Sequence, residues 1–244
     1  MNGNIKRTTS WAAWLLRHLL PNACALCGGD SDDALCRGCA AQFFGAAAAI
    51  ARCHCCANPV SAAGLLCGAC QAHRPTFDHT LVAADYALPV DQLVLQLKFG
   101  HRLALAPLCA GLLRDAVQSQ ADYALPALLC PVPLGPRRLA GRGYNQALEI
   151  ARPLARGLGI ALAAQLLVRV HDTAAQSSVA PEQRRQNIAG AFTVTDAALV
   201  AGRHIGVVDD VMTSGCTLNE VAATLKRHGA ARVSNLVFAR TPPH

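Results

Sequence analysis

Apolar positions along the chain change their period several times, and each change marks the start of a new element. Trp11, Trp14, Leu15 and Leu19, with Arg17 and His18 among them, predict a short amphipathic helix ended by Pro21. A cysteine-rich stretch with little periodicity follows. Leu81 to Tyr86 then reads as a strand, and Val90 to Lys98 as a helix with Val90, Leu93, Val94 and Leu97 inward. Arg102 to Val117 predicts a second helix and Ala127 to Val132 an apolar strand. Asn145 to Leu158 predicts a helix capped by Asn145, with Pro153 kinking or breaking it. Gln165 to Val170 reads as a strand, Phe192 to Val194 returns the chain to the sheet, and Arg232 to Phe238 supplies a final strand. Strands alternating with helices of this length indicate an α/β fold with a parallel sheet.

One stretch organises the rest. Ile205 to Thr217 reads I-G-V-V-D-D-V-M-T-S-G-C-T, a β-branched run, two acids, and a hydroxyl-rich turn with one glycine. Leu218 to His228 follows with helical periodicity and basic residues in its last turn, and Gly229 is its stop. Asp209 and Asp210 would lie at the carboxyl end of a buried strand, where ligands bind in open α/β sheets. Thr213, Ser214, Gly215, Cys216 and Thr217 would bring backbone N–H groups to a helix N-terminus, which suits a phosphate. The acids repel phosphate and suit sugar hydroxyls instead. A ribose 5-phosphate satisfies both halves, and the stretch resembles the PRPP-binding signature of type I phosphoribosyltransferases.

Composition changes this picture mainly through cysteine. A chain of 244 residues with 52% hydrophobic content can bury a core and is not disordered. Its formal charge is +7, but eight thiolates on two divalent ions would lower this to about +3, so basicity does not argue for nucleic acid. Twelve cysteines concentrated in Cys-x-x-Cys pairs point to metal rather than disulfides. Cys24/Cys27, Cys36/Cys39, Cys53/Cys56 and Cys67/Cys70 form an internal repeat that supplies two closed four-sulfur sites for structural Zn²⁺. Sequential and interleaved pairings of the turns both satisfy the spacing, and iron–sulfur clusters are the competing metal. Cys55 is left over, His54 reads as an exposed loop histidine, and Cys109 and Cys130 read as core. The apolar run before Arg17 is too short for a signal-peptide core, and no stretch reaches about 18 consecutive apolar residues. A cytoplasmic protein without a membrane span is the expectation. Its parts are an N-terminal helix over 1–21, a zinc module over 22–72, and a sheet domain over 73–244.

Two further stretches carry candidate chemistry. P-V-P-L-G-P-R-R-L-A-G-R-G-Y-N-Q follows the strand ending at Val132 and reads as a turn. Its Arg137, Arg138 and Arg142 could grip a pyrophosphate, because guanidinium forks match phosphate oxygens; a solvated basic turn or a nucleic-acid contact is the alternative. The polar segment from His171 to Phe192 lacks periodicity and could close over a reacting sugar, with Gln176, Arg184, Arg185 and Asn187 as its candidate contacts. Lys98 and Arg102 flank Gly100 and read first as a solvated helix end, with an anionic ligand as the other option.

Together these stretches resemble the ComF family of competence-associated proteins. The resemblance rests on L-L-P-N-A-C-A-L-C-G, the paired cysteines, L-K-F-G-H, the arginine turn with R-G-Y-N-Q, R-R-Q-N-I-A-G-A-F, and V-V-D-D-V-M-T-S-G-C-T. It implies an N-terminal double zinc ribbon joined to a type I phosphoribosyltransferase domain, a Rossmann-like parallel sheet flanked by helices. It further implies that PRPP binds with Mg²⁺, that Asp209 and Asp210 hold the ribose hydroxyls, that Thr213 to Thr217 cradle the 5′-phosphate, and that Arg137 or Arg138 faces the pyrophosphate. Purine-salvage relatives often carry an acid immediately before the turn; Thr213 stands there, so no general base is named. An amidophosphoribosyltransferase is disfavoured, since the zinc module occupies the place of a glutaminase domain. The family association implies DNA uptake and natural transformation. Two function classes follow: a phosphoribosyl-transferring enzyme, or a competence factor using the pocket as sensor or scaffold and binding single-stranded DNA or a helicase partner.

Overall fold

A computed structural model of the chain describes residues 22–45, 50–170, 188 and 190–243. The helix expected over 11–19 and the loop candidates Gln176, Arg184, Arg185 and Asn187 lie outside the described residues.

The cysteine-rich part contributes β1 (Asn22–Ala23) paired antiparallel with β2 (Asp30–Ser31), then α1 (Arg37–Phe44) and α2 (Gly68–Ala72). Both helices begin directly after a cysteine, with Cys36 and Cys67 at their N-caps in extended conformation. The sheet part runs β3 (His79–Asp85), α3 (Asp91–Phe99), α4 (Leu105–Gln118), β4 (Leu128–Pro131), α5 (Pro136–Arg142) and α6 (Gln146–Leu158). It continues with β5 (Ala161–Leu162), β6 (Leu167–Arg169), β7 (Phe192–Val194), β8 (His204–Met212), α7 (Cys216–Arg227) and β9 (Arg232–Arg240).

Five strands form a sheet in the order β3-β9-β8-β4-β5, every pair parallel, with β8 at the centre. Side chains of the inner strands alternate between two apolar clusters, as a sheet covered on both faces requires. Ile205 and Val207 of β8 and Val233 and Val237 of β9 face one cluster. Val208, Leu236 and Phe238 face the other. Helices α3, α4 and α6 cover this second face through Leu93, Leu97, Leu113, Ile150 and Leu154. Helix α7 covers the first face with Leu218, Val221 and Leu225, joined there by Cys53, Cys55, Cys56 and Cys70. The second half of the cysteine module is therefore part of the sheet's own core. The first half packs on the other face, with Cys24, Leu35 and Cys39 against Phe43, Phe44 and the α4 residues Leu108 and Leu112, and with Leu26, Phe43 and Phe44 against the second cluster, where the Phe44 ring lies 6.3 Å from that of Phe238.

Four expectations are corrected. The strands at Gln165–Val170 and Phe192–Val194 do not join the main sheet; β6 pairs antiparallel with β7 as a separate two-stranded ribbon. Alternating polarity could not reveal this, because it specifies a buried face and not a partner. The arginine turn is largely a helix, α5, started by Pro136 after the extended Gly135 and stopped by Gly143 at φ 80°. Pro153 leaves α6 continuous, since Ile150, Ala151, Leu154 and Ala155 on either side of it are buried and hold the turn in place. His54 is half-buried rather than exposed, its ring 6.2 Å from that of His79. Asn145 does cap α6, accepting a hydrogen bond from the Ala147 N–H at 3.0 Å.

Ile150 is fully buried between α6 and the sheet. Ile150→Ala should lower unfolding stability by about 2–5 kcal/mol, read from urea denaturation, because the cavity it leaves adds to the lost transfer energy.

Candidate functional site

The crossover from β4 passes over one face of the sheet through α6, and that from β8 passes over the opposite face through α7. Strands β4 and β8 are neighbours, with Pro131 beside Val208, so the chain diverges above their carboxyl ends and leaves a crevice there. The turn bearing Arg137, Arg138 and Arg142 leaves from one lip, and the segment from Asp209 to Thr217 leaves from the other. In this way the topology brings two stretches far apart in sequence to one place.

Asp209 and Asp210 lie within β8 rather than after it, because the strand continues to Met212 beside Arg240 of β9. Asp209 is half-buried and Asp210 is buried. The Asp210 N–H donates to Asp209 Oδ1 at 2.9 Å, and the Val211 N–H donates to Asp210 Oδ1 at 2.8 Å. Burial, and then the neighbouring Asp210 carboxylate, raise the Asp209 pKa; Lys98 and the Asp210 N–H oppose this. Lys98 reaches in from the last turn of α3 and sets its Nζ 3.0 Å from Asp210 Oδ2. The lysine read as a solvated helix end is thus the cation that holds the acid pair.

The arginine-bearing lip is tied to the same helix end. The Tyr144 hydroxyl donates to the Leu97 carbonyl, and the Arg142 guanidinium lies 5.3 Å from the centre of the Phe99 ring. Residues 97–99 consequently touch the acid pair on one side and the arginine lip on the other. Arg137 and Arg138 are exposed on α5.

Beyond the acids, Thr213 and Ser214 are exposed, and Gly215 takes φ 79° to turn the chain into α7. A Cβ at Gly215 would meet Met212 Cε at 2.6 Å besides the strain of that φ, so glycine is required here. Cys216 and Thr217 open the helix, where first-turn N–H groups lack intrahelical partners; the Cys216 N–H donates to Ser214 Oγ at 3.5 Å. One residue that sequence reading did not single out holds this loop from below. Arg240, buried at the end of β9, donates from Nη1 to the carbonyls of Met212 at 3.1 Å and of Thr213. Its only sequence signal is a charged residue ending an apolar strand.

The eight cysteines fall into two groups, Cys24, Cys27, Cys36, Cys39 and Cys53, Cys56, Cys67, Cys70, with the sulfurs of each within 4.8 Å of one another. The pairing left open by spacing is therefore sequential. Tetrahedral Zn²⁺ with Zn–S of about 2.3 Å needs sulfurs about 3.8 Å apart. Cys27 and Cys36 at 3.8 Å and Cys56 and Cys67 at 3.4 Å fit that edge. Burial opposes ionisation of Cys24 and Cys53, yet backbone N–H groups bring them to about 6 and about 7. Burial pushes Cys39 and Cys56 up to about 12; neighbouring thiols add to this at Cys39, while at Cys56 the Asn58 N–H opposes it and Cys67 and Cys53 add to it. A divalent cation relieves this mutual repulsion. Cys55 stands outside the second group, its Sγ 4.0 Å from the Asp78 carbonyl.

A parallel sheet whose central strand carries two acids near its carboxyl end and leads into a glycine loop, together with two four-cysteine groups, defines a phosphoribosyltransferase-type domain with a double zinc ribbon. Comparisons agree with both parts: the phosphoribosyl transferase domain matches residues 145–243 and the double zinc ribbon domain residues 15–72. The DNA utilization protein YhgH of Salmonella typhimurium is 36% identical over 79% of this chain and 85% of its own length. Competence protein F of Haemophilus influenzae is 30% identical over 89% of this chain and 96% of its own. Among solved structures, a glutamine PRPP amidotransferase from B. subtilis aligns at 17% identity with a TM-score of 0.36, over 54% of this chain and 26% of that one. The chain belongs to the ComF family. Among the described residues no helix is long and apolar enough to cross a membrane.

Two outcomes follow from the ionisation of these groups. Asp209 has a raised pKa when folded, so it costs no stability below the unfolded value of about 3.9 and progressively more as pH rises. Asp209→Asn should therefore be more stable than the parent in thermal denaturation at pH 8, with the gain shrinking toward pH 5. Zinc binding requires deprotonated thiols, so elemental analysis should find two equivalents at pH 8 and progressive loss below about pH 6, with Cys70→Ser retaining one.

Proposed function

We propose that the chain binds a phosphoribosyl pyrophosphate with Mg²⁺ in the crevice between β4 and β8, as a competence-associated phosphoribosyltransferase-like protein. The observation that carries this is the Asp209–Asp210 pair, held by Lys98 directly before a left-handed glycine and a helix N-terminus. Asp209 and Asp210 would accept hydrogen bonds from the 2′ and 3′ ribose hydroxyls, since ionised carboxylates are acceptors only. The N–H groups and hydroxyls of Thr213, Ser214, Gly215, Cys216 and Thr217 would bind the 5′-phosphate. Arg137, Arg138 and Arg142 would face the pyrophosphate, stabilising charge that grows there as the bond to ribose C1 breaks. Mg²⁺, entering with the ligand, would screen the pyrophosphate oxygens. Gln176, Arg184 and Asn187 are proposed to close over the sugar. The division into a module over 22–72 and a sheet domain over 73–244 is part of the same reading, with Cys24, Cys27, Cys36, Cys39, Cys53, Cys56, Cys67 and Cys70 as structural zinc ligands.

The names of the relatives, a DNA utilization protein and a competence protein, support an association with DNA uptake. They also favour a second reading, in which the pocket is a sensor or scaffold and the working partners are single-stranded DNA and a helicase. Thr213 in place of an acid leaves the acceptor unassigned under the first reading.

Calorimetry with PRPP and Mg²⁺ tests the pocket. The parent should bind, and Asp209→Asn combined with Asp210→Asn should weaken binding at least about a hundredfold while zinc content stays at two, since each lost charged hydrogen bond is worth about 1.5–3 kcal/mol. Unchanged affinity would overturn the assignment. Pyrophosphate release across a panel of nucleophiles separates the two readings: release supports the enzyme, and binding without release supports the sensor.

A further inference from the structure

The buried guanidinium of Arg240 touches two parts of the chain that sequence keeps apart. Its Nη1 donates to the Met212 and Thr213 carbonyls, while its Nε donates to the Cys56 carbonyl at 3.1 Å. Cys56 belongs to the second four-cysteine group, and Met212 and Thr213 are the entry to the phosphate loop. The two sides face each other across a cavity of about 520 Å³ whose lining includes Cys56, Cys70, Ser214, Gly215, Cys216 and Arg240.

The direction of the Cys56 carbonyl is a property of the cysteine turn. The Ala57 N–H donates to the Cys53 carbonyl at 2.8 Å, the Cys53 N–H donates to the Asn58 carbonyl at 2.8 Å, and Ala57 sits at φ 59° with no exposed surface. A non-glycine residue in that region is strained and persists only where its surroundings over-determine it. Four sulfurs on one cation would supply that constraint. Without it the turn relaxes, the carbonyl swings away, and the guanidinium is left buried with an unpaired donor, which favours its movement. Among the described residues the first four-cysteine group makes no hydrogen bond to Arg240 or to the segment 212–217; it packs on α4 and, through Phe44, on Phe238 of β9, the two rings 6.3 Å apart.

We propose that Arg240 is a positioning residue that makes the conformation of the phosphate loop depend on the second zinc centre and not on the first. The inference rests on the phosphoribosyl-binding reading for its consequence, namely that ligand affinity follows occupancy of the second centre. It does not rest on that reading for its geometry.

Hydrogen exchange of backbone amides 212–220, with zinc content measured in parallel, tests it without any ligand. Arg240→Met should retain two zinc ions and speed exchange of amides 213–217 by at least about tenfold, and Arg240→Lys should fall between it and the parent. The control is Asp85→Ala, which breaks another tie between this half of the module and the sheet, Arg52 Nη1 to Asp85 Oδ1 at 2.8 Å, while Arg52 keeps its hydrogen bond to the Ala57 carbonyl in the cysteine turn. A docking role alone would make both substitutions loosen the loop; the positioning role predicts that Asp85→Ala leaves it unchanged. If Arg240→Met does not fold, Cys70→Ser and Cys39→Ser give the same discrimination, and only the former should speed loop exchange. Unchanged exchange in Arg240→Met, or equal effects of the members of either pair, overturns the proposal. If the parent fails to bind PRPP while exchange behaves as expected, the pocket reading falls and the coupling stands.

Discussion

Two carboxylates at consecutive positions of a buried central strand repel each other, and the rest of the site is arranged around that repulsion. Lys98 is the compensating charge, 3.0 Å from Asp210. Because this lysine sits at the end of α3, the helix end must stay at the crevice, and residues 97–99 become the place where the arginine lip is anchored through Tyr144 and Arg142. The raised pKa of Asp209 shows that one lysine does not fully compensate for burial and for two acids. A ligand that offers hydroxyl donors and brings a divalent ion would relieve what remains. Closely spaced acids with a perturbed pKa are common where polar groups are held ready for a ligand.

A second dependence runs between the cysteine module and the sheet. Small modules of this kind lack enough apolar area to fold alone, and metal normally replaces the missing core. Here the two halves differ. The second half lends Cys53, Cys55, Cys56 and Cys70 to the cluster that also contains Val207, Leu218 and Val237, so metal site and sheet share one core. The first half rests on α4 and on the opposite face of the sheet, where Phe43 and Phe44 pack against the cluster of Leu236 and Phe238.

The legible features were those whose chemistry is local. Eight cysteines in four Cys-x-x-Cys turns declare a metal wherever they fold, and the run from Ile205 to Thr217 declares a strand, an acid pair and a helix start from neighbours alone. Lys98 was visible as a charge at a helix end, but its partner lies 112 positions further along. Arg240 is not legible, because one arginine ending an apolar strand looks like any strand end until the four carbonyls it serves are brought around it. The strands at Leu167–Arg169 and Phe192–Val194 are legible as strands, but the expected return of Phe192–Val194 to the main sheet does not form, for a related reason. Their own residues specify extended backbone, and the choice of partner depends on which edge is free after β4, β8 and β9 have packed.

By itself, then, the amino-acid sequence determined the α/β class, the two sets of metal-binding sulfurs, and the loop suited to a phosphate, since each depends on residues within a turn or two of one another. Tertiary structure alone decided that the cysteine turns pair sequentially, that α6 and α7 cross opposite faces so that β4 and β8 open a crevice, and that Lys98 and Arg240 are structural parts of the Asp209–Thr217 segment. Charge pairing and buried carbonyls act over a few ångströms in space, with no limit on separation along the chain. Residues whose roles depend on such contacts carry no mark of them in their own neighbourhood, and only the folded sheet brings their partners within reach.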